Sequence, residues 1–287
     1  MAMSLEGVLP ALITALSPVG DVVVDVLERL LERLYASGVH GVYVCGNTGE
    51  GMQSGIATRK KVLETAVRCS PPGKLVAAHV GASNLEDAIT LARHAADTGA
   101  HALSSLPPAG GFEAIHAWYS SLASATNLPF LIYYFPEAAP GIRTMAEIQR
   151  LGSLPNIAGL KFTDFDLYRM SMLSRAGLTI FNGRDEVFAA GMLMGAHGGI
   201  GSFYNVAPEL FLDVYRLARE GRYPEARRVQ DRINDLISIV LRFPMIPALK
   251  AVLEWRGLPC GPSLTARPLS VEECGQLRFA LEQAGFG

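Results

Sequence analysis

Asn156-Ile157-Ala158-Gly159-Leu160-Lys161-Phe162-Thr163 has the length and composition of a buried strand, with a single amine inside it. It is one of eight such runs. The others are Gly7–Leu16, Gly41–Gly46, Lys74–Val80, Ala102–Leu106, Phe130–Phe135, Leu178–Gly183 and Gly198–Phe203, with Ile157–Thr163 as the sixth. Helical patterns lie between them. Val26, Leu27, Leu30, Leu31 and Leu34 recur at helical spacing. Asn84 is placed to cap a helix through Ala95, and Asp185 a helix through Met194. Repeated βα units imply parallel strands, and eight of them match a closed (β/α)8 TIM barrel. A doubly wound open sheet is the alternative. It is weakened by the turn Gly46-Asn47-Thr48-Gly49-Glu50, which lacks the G-x-G-x-x-G dinucleotide fingerprint.

Past about Asn205 the alternation stops. Pro208–Arg219, Tyr223–Leu241, Pro244–Trp255 and Ser270–Ala284 read as helices with no strand between them, and Ser270 with Glu273 fits a capping box. The expected division is a catalytic barrel over 1–222 and a C-terminal helical extension over 223–287.

With 49% hydrophobic and 18% charged residues in 287, the chain can bury a sizeable core. Its net charge of −2 gives no electrostatic case for nucleic acid or an anionic membrane. No apolar stretch approaches the ~20 residues that span a bilayer. The first ten residues lack the basic start and apolar core of a secretion signal. Cys45, Cys69, Cys260 and Cys274 form no C-x-x-C pair and have no histidine at ligand spacing. The expectation is reduced thiols in a cytoplasmic protein and no metal site.

Lys161 carries the chemical argument. The other lysines, Lys60, Lys61, Lys74 and Lys250, lie in or beside segments that read as polar helix faces or turns. An ammonium is costly to bury unless paired or neutralised. Burial lowers a lysine pKa by up to ~3–5 units and leaves a neutral nucleophile towards carbonyl carbon. The plainer alternative is a strand-end lysine that snorkels to solvent. The other strand ends decide between them, because catalytic groups of a (β/α)8 barrel project from the C-terminal ends of its strands. Those ends carry Asn47-Thr48-Gly49-Glu50, Tyr133 and Tyr134, Lys161 and Thr163, Asn182-Gly183-Arg184-Asp185-Glu186, and Gly198-Gly199-Ile200-Gly201-Ser202.

That set suits Schiff-base chemistry on a 2-oxo acid. Lys161 attacks the keto carbon and Tyr133 moves protons as general acid and base. The Asn47-Thr48-Gly49 turn offers backbone N–H groups and the Thr48 hydroxyl to the carboxylate. The iminium is itself an electron sink, so no metal or cofactor is required. Each element also has a plain reading: Tyr133 as a core aromatic, Gly46 and Gly49 as turn residues, Asp185 as a helix cap, Gly198–Gly201 as close packing. Those readings leave unexplained why all five fall at strand ends of one polarity.

At these residues the chain resembles the N-acetylneuraminate lyase and dihydrodipicolinate synthase superfamily of class I aldolases. Gly46-Asn47-Thr48-Gly49-Glu50 is similar to G-[ST]-T-G-E, Tyr133-Tyr134-Phe135-Pro136 to Y-N-x-P, and Gly159-Leu160-Lys161 to the G-[LIV]-K strand that bears the Schiff-base lysine. The resemblance covers nearly the whole chain. It implies a TIM barrel with a three-helix C-terminal extension, in a homotetramer. It assigns the imine to Lys161, the proton shuttle to Tyr133, and the carboxylate of pyruvate or another 2-oxo acid to Asn47 and Thr48, with the Ile200 backbone nearby.

The lyase branch resembles it more. Lys161-Phe162-Thr163-Asp164-Phe165-Asp166-Leu167-Tyr168 is similar to K-F-T-x-x-D-L-Y, and Gly198-Gly199-Ile200-Gly201-Ser202-Phe203-Tyr204-Asn205 to G-G-I-G-S-T-Y-N. By that resemblance Gly183, Asp185, Glu186 and Ser202, with Thr163 beside them, hold the hydroxylated tail of a sugar acid. Ala138 stands where the synthases carry an arginine for their aldehyde's carboxylate, and no tyrosine lies near Pro107–Gly111. Glu137 brings negative charge to the specificity loop, and Arg184 is able to neutralise a carboxylate or bind an anionic substrate. The expected activity is therefore reversible cleavage of a hydroxylated 2-oxo acid, sialic-acid-like or a 2-keto-3-deoxy sugar acid, into pyruvate and an aldehyde. The alternatives are a dihydrodipicolinate synthase, a non-catalytic 2-oxo acid-binding regulator and, more remotely, a pyridoxal phosphate barrel.

Overall fold

Each of the eight apolar runs forms a short strand, and every strand pairs in parallel with its neighbours. In the computed structural model, which describes residues 4–286, they are β1 (Gly7–Pro10), β2 (Gly41–Val44), β3 (Leu75–His79), β4 (Ala102–Ser105), β5 (Phe130–Tyr134), β6 (Ile157–Phe162), β7 (Thr179–Asn182) and β8 (Gly198–Gly201). The ladder runs β1-β8-β7-β6-β5-β4-β3-β2. The ring closes where His40 N–H donates to the Val8 carbonyl (3.0 Å) and Leu12 N–H to the Tyr43 carbonyl (2.9 Å). The result is a (β/α)8 barrel, with α1 (Val24–Ala36), α2 (Ile56–Cys69), α3 (Leu85–Thr98), α4 (Phe112–Ala123), α5 (Met145–Gly152), α6 (Leu167–Arg175), α7 (Phe188–Leu193) and α8 (Pro208–Arg219) following the strands in turn.

Every strand ends one to six residues sooner than the sequence suggests, and at β1 and β8 the cause is that later donors turn to other partners. Beyond Pro10, Ile13 N–H bonds the Asn205 side chain and Leu16 N–H the Cys260 carbonyl. Beyond Gly201, Phe203 N–H bonds the Asp185 carboxylate, and Phe203–Asn205 form a 3₁₀ turn. Asn84 caps α3 as expected, accepting from Asp87 N–H at 2.8 Å. Asp185 does not cap α7. It opens a 3₁₀ turn, Asp185–Val187, and its side chain reaches across to β8. A local cap and a long-range acceptor need the same residue type, so the sequence does not separate them.

Three helices complete the chain: α9 (Tyr223–Val240), α10 (Met245–Trp255) and α11 (Val271–Gln283), the last opened by the Ser270–Glu273 capping box. Among the described residues no single helix is long and apolar enough to cross a membrane. The hydrophobic interior has two parts. A large one lies between the barrel and its helices. A small one fills the lumen, where Leu9, Tyr43, Ala77, Leu131, Phe181 and Ile200 meet. The lumen plug forms the floor on which polar groups at the strand ends stand.

Lys250 corrects an expectation. It does not sit on a polar face. It is 4% exposed within α10, and its Nζ lies 3.1 Å from Glu50, which is fully buried. The rest of α10 is apolar nearly all round, with Ile246, Ala248, Leu249, Val252 and Leu253 buried. Such a helix belongs in a core, and its one lysine needs a partner there.

Candidate active site

Lys161 stands on β6, in register with Tyr133 on β5 and Phe181 on β7. Alternation along the strand turns Lys161 into the lumen while Leu160 and Phe162 pack against the helices. The G-L-K run has a steric reason. A Cβ at Gly159 would lie 1.9 Å from the Thr179 carbonyl, so only glycine lets β6 and β7 approach this closely. The amine is 4% exposed, and its Nζ lies 4.0 Å from the ring centroid of Tyr133 and 4.5 Å from that of Tyr43. Burial pushes its pKa down to about 7, with the charge of Asp185 opposing the shift. A large share of the amine is therefore neutral at physiological pH.

Tyr133 is held by an aromatic frame. Phe135 stacks on it at 6.0 Å, and His79 and Tyr43 meet it edge-on at 6.1 and 6.4 Å. Burial raises the phenol pKa well above its ordinary value, and the Thr163 hydroxyl and Arg184 pull it back. Resting Tyr133 thus keeps its proton and has it to give.

One cavity of about 530 Å³ is lined by Lys161, Tyr133, Asn47, Thr48, Thr163, Gly183, Asp185, Glu186, Ile200 and Ser202. These are all ten residues singled out in the sequence. Thr48 and Ser202 join β2 to β8 through a 2.6 Å hydroxyl contact. Oδ1 of Asp185 is buried with no hydrogen-bond partner. Burial raises the Asp185 pKa, although Phe203 N–H donates to its other oxygen at 3.0 Å. Two glycines make room for these groups. A Cβ at Gly183 would fall 2.1 Å from the Thr163 hydroxyl, and one at Gly201 would fall 1.9 Å from Asp185 Oδ1. The glycine wall is therefore a condition of the polar one.

Sequence reasoning missed three features. The C-terminal extension enters the cavity through Met245 and Ile246 of α10 and Thr265 of the loop before α11. Glu50, at the end of the Gly46–Glu50 turn, is tied to that extension. Its Oε1 accepts from the Ser263 hydroxyl and from Leu264 and Thr265 N–H at 2.5–3.0 Å, while Lys250 faces its other oxygen. The available signal was the lone lysine in an otherwise apolar helix. The third feature is Arg184 as a cavity wall. Its guanidinium lies 4.5 Å from the Phe165 ring and 5.3 Å from the Phe135 ring, and 2.5 Å from the Glu137 carboxylate. The sequence placed it at the seventh strand end as a charge able to bind an anion, but gave no sign of its stacking between Phe165 and Phe135 or of its pairing with Glu137.

Residues 4–284 match the model of the dihydrodipicolinate synthetase family. The chain is 35% identical over 266 residues to an N-acetylneuraminate lyase of Rhizobium meliloti, covering 91% of this chain and 89% of that one. It is 34% identical over 277 residues to an N-acetylneuraminate lyase of Citrobacter koseri, covering 94% and 93%. Among solved structures, the Ruminococcus gnavus sialic acid aldolase superposes with a TM-score of 0.92 at 30% identity, over 97% of this chain and 96% of that one. An amine-bearing barrel with this motif set and these relatives leaves one conclusion: the chain belongs to the dihydrodipicolinate synthetase family, as a carbon–carbon lyase of the pyruvate-dependent class I aldolase type.

Proposed function

We propose that the protein reversibly cleaves a hydroxylated 2-oxo acid, sialic-acid-like or a 2-keto-3-deoxy sugar acid, into pyruvate and an aldehyde, with Lys161 as nucleophile and Tyr133 as acid and base. The observation that carries this reading is the pairing of a buried, weakly basic amine with a protonated tyrosine whose ring centroid lies 4.0 Å from its nitrogen. The substrate carboxylate is held at Asn47 and Thr48, beside the Ile200 backbone, and the hydroxylated tail meets Thr163, Gly183, Asp185, Glu186 and Ser202.

The chemistry then follows from the groups present. Neutral Lys161 adds to the keto carbon. Tyr133 gives its proton to the carbinolamine oxygen, water leaves, and an iminium remains. That cation stabilises the phenolate beside it. The phenolate takes the proton of the C4 hydroxyl, the C3–C4 bond breaks, and its electron pair passes to the iminium as an enamine. The aldehyde leaves, and Tyr133 gives its proton to C3, which restores the iminium. Water then adds to that iminium and returns one proton to the Tyr133 phenolate as pyruvate leaves and Lys161 becomes a neutral amine again. Every proton taken by Tyr133 is given back, so the residue ends as it began.

The test is a retro-aldol screen of sialic acid and 2-keto-3-deoxy sugar acids, coupled to pyruvate detection. Release of pyruvate from at least one, lost in Lys161→Met, is expected. Pyruvate binding with no release from any of them supports the regulator instead. The same reading includes a homotetramer. Exposed Phe165, Tyr168, Leu193 and Met194 are apolar surface that such an assembly would cover. A monomer in light scattering would contradict it.

A further inference from the structure

The cavity holds a cation that the aldolase chemistry does not use. Arg184 follows β7, but its side chain leans across β6 towards β5, between the rings of Phe165 and Phe135. This places it on the β5–β7 side of the mouth. The turn at Thr48 and its partner Ser202 lie on the β2–β8 side, and Lys161 on β6 stands on the floor between. A 2-oxo acid with its carboxylate at Thr48 and its keto carbon at Lys161 therefore extends its other end towards Arg184.

The present partner of that guanidinium is easily displaced. Arg184 is only 15% exposed, whereas the Glu137 side chain that faces it is 64% exposed, on the loop after β5. A carboxylate that keeps most of its hydration contributes little, so the Glu137 side of the pair is weakly held. Arg184 itself is pre-positioned by the two rings, and its Nε is buried without a hydrogen-bond partner. A planar fork held in place, with a spare donor and a removable counter-ion, suits bidentate capture of an oxyanion. Arg184 itself lies in a wall otherwise furnished for hydroxyls by Asp185, Glu186 and Thr163, and Glu137 meets it from the loop outside that wall.

We propose that Arg184 is an anion subsite: the aldehyde half of the substrate ends in an oxyanion, a carboxylate or a phosphate ester, which displaces Glu137 from the guanidinium. This rests on the aldolase reading and narrows its substrate class to acids charged at both ends.

The experiment runs the reaction towards condensation, with the full chain, pyruvate and matched acceptors. Glyceraldehyde is paired with glyceraldehyde 3-phosphate, and butyraldehyde with succinic semialdehyde. The two pairs separate phosphate from carboxylate. At least one charged acceptor is expected to exceed its neutral partner in kcat/KM by about tenfold or more. Arg184→Gln should collapse that ratio through KM for the charged acceptor, and Glu137→Gln should raise it. Borohydride trapping of pyruvate is read in parallel. If wild type does not trap, the aldolase reading fails. If it traps but uses paired acceptors equally, or condenses no charged one, the anion subsite alone is overturned. A ratio unmoved by Arg184→Gln overturns it too, and Glu137→Gln decides the matter if the arginine variant fails to fold.

Discussion

At the residue scale, Lys161 was legible because an amine in an eight-residue apolar run has few comfortable fates. The structure gives it the one in which burial, not an ion pair, sets its state. Two predictions follow. The rate of imine formation with pyruvate should rise with pH through about 7 and then level, because the free amine is complete above that point. An ordinary exposed lysine would keep accelerating towards its own pKa near ~10.4. A trapping-rate profile that climbs without a plateau to pH 9 contradicts the assignment. The second concerns stability. In the unfolded chain the amine keeps its proton up to about 10.5, and in the barrel it releases it at about 7. Between those values the unfolded state binds the extra proton, so stability rises with pH. The burial penalty is complete below pH 7 and absent above 10.5. Lys161→Met removes it, and should raise Tm by roughly 2 °C or more at pH 6.5, with a smaller gain at pH 9.5. An equal or larger gain at pH 9.5 in thermal melts would count against a buried, destabilised amine. Asp185 shows where residue-level reading stops. Its type fits a helix cap, and only the long-range contact to Phe203 N–H reveals the buried acceptor.

At the element scale, the eight strands were readable from apolar runs and the helices from spacing, yet strand ends were overrun by one to six residues. The cause is physical. Apolarity continues where pairing stops, because residues such as Ile13 and Phe203 stay buried while their N–H groups bond side chains. The run Gly198–Gly201 has its explanation at this scale. Gly198 lets β8 meet β1, Gly199 clears the Tyr204 hydroxyl, and Gly201 clears Asp185. Gly201→Ala should therefore cost about 1–3 kcal/mol through a forced shift of β8 or of the Asp185 turn. The measurement is a denaturant melt alongside KM for the cleaved acid, with both expected to worsen. Unchanged stability and KM would mean that the wall is more pliant than its contacts imply.

At the scale of the whole molecule, the closed barrel was readable because eight βα units in one order leave few topologies. The role of the C-terminal helices was not readable, since it depends on Glu50 meeting Lys250 across some two hundred residues of chain. That buried pair fastens the turn bearing Thr48 to the loop Ser263–Thr265 and brings Thr265 to the cavity wall. Lys250→Met leaves a buried carboxylate without its counter-charge, which costs about 3–5 kcal/mol, and should raise KM for pyruvate by loosening the turn. Adding Glu50→Gln should recover part of the lost stability, a coupling that a double-mutant cycle reads directly. No coupling in that cycle would show that the extension and the turn are independent. Every assignment at the cavity depends on Lys161 being the group that takes the substrate. Incubation with pyruvate and borohydride, followed by peptide mass spectrometry, tests this most directly. The expected result is one reduced adduct, on Lys161. An adduct on another lysine, or none at all, would contradict it.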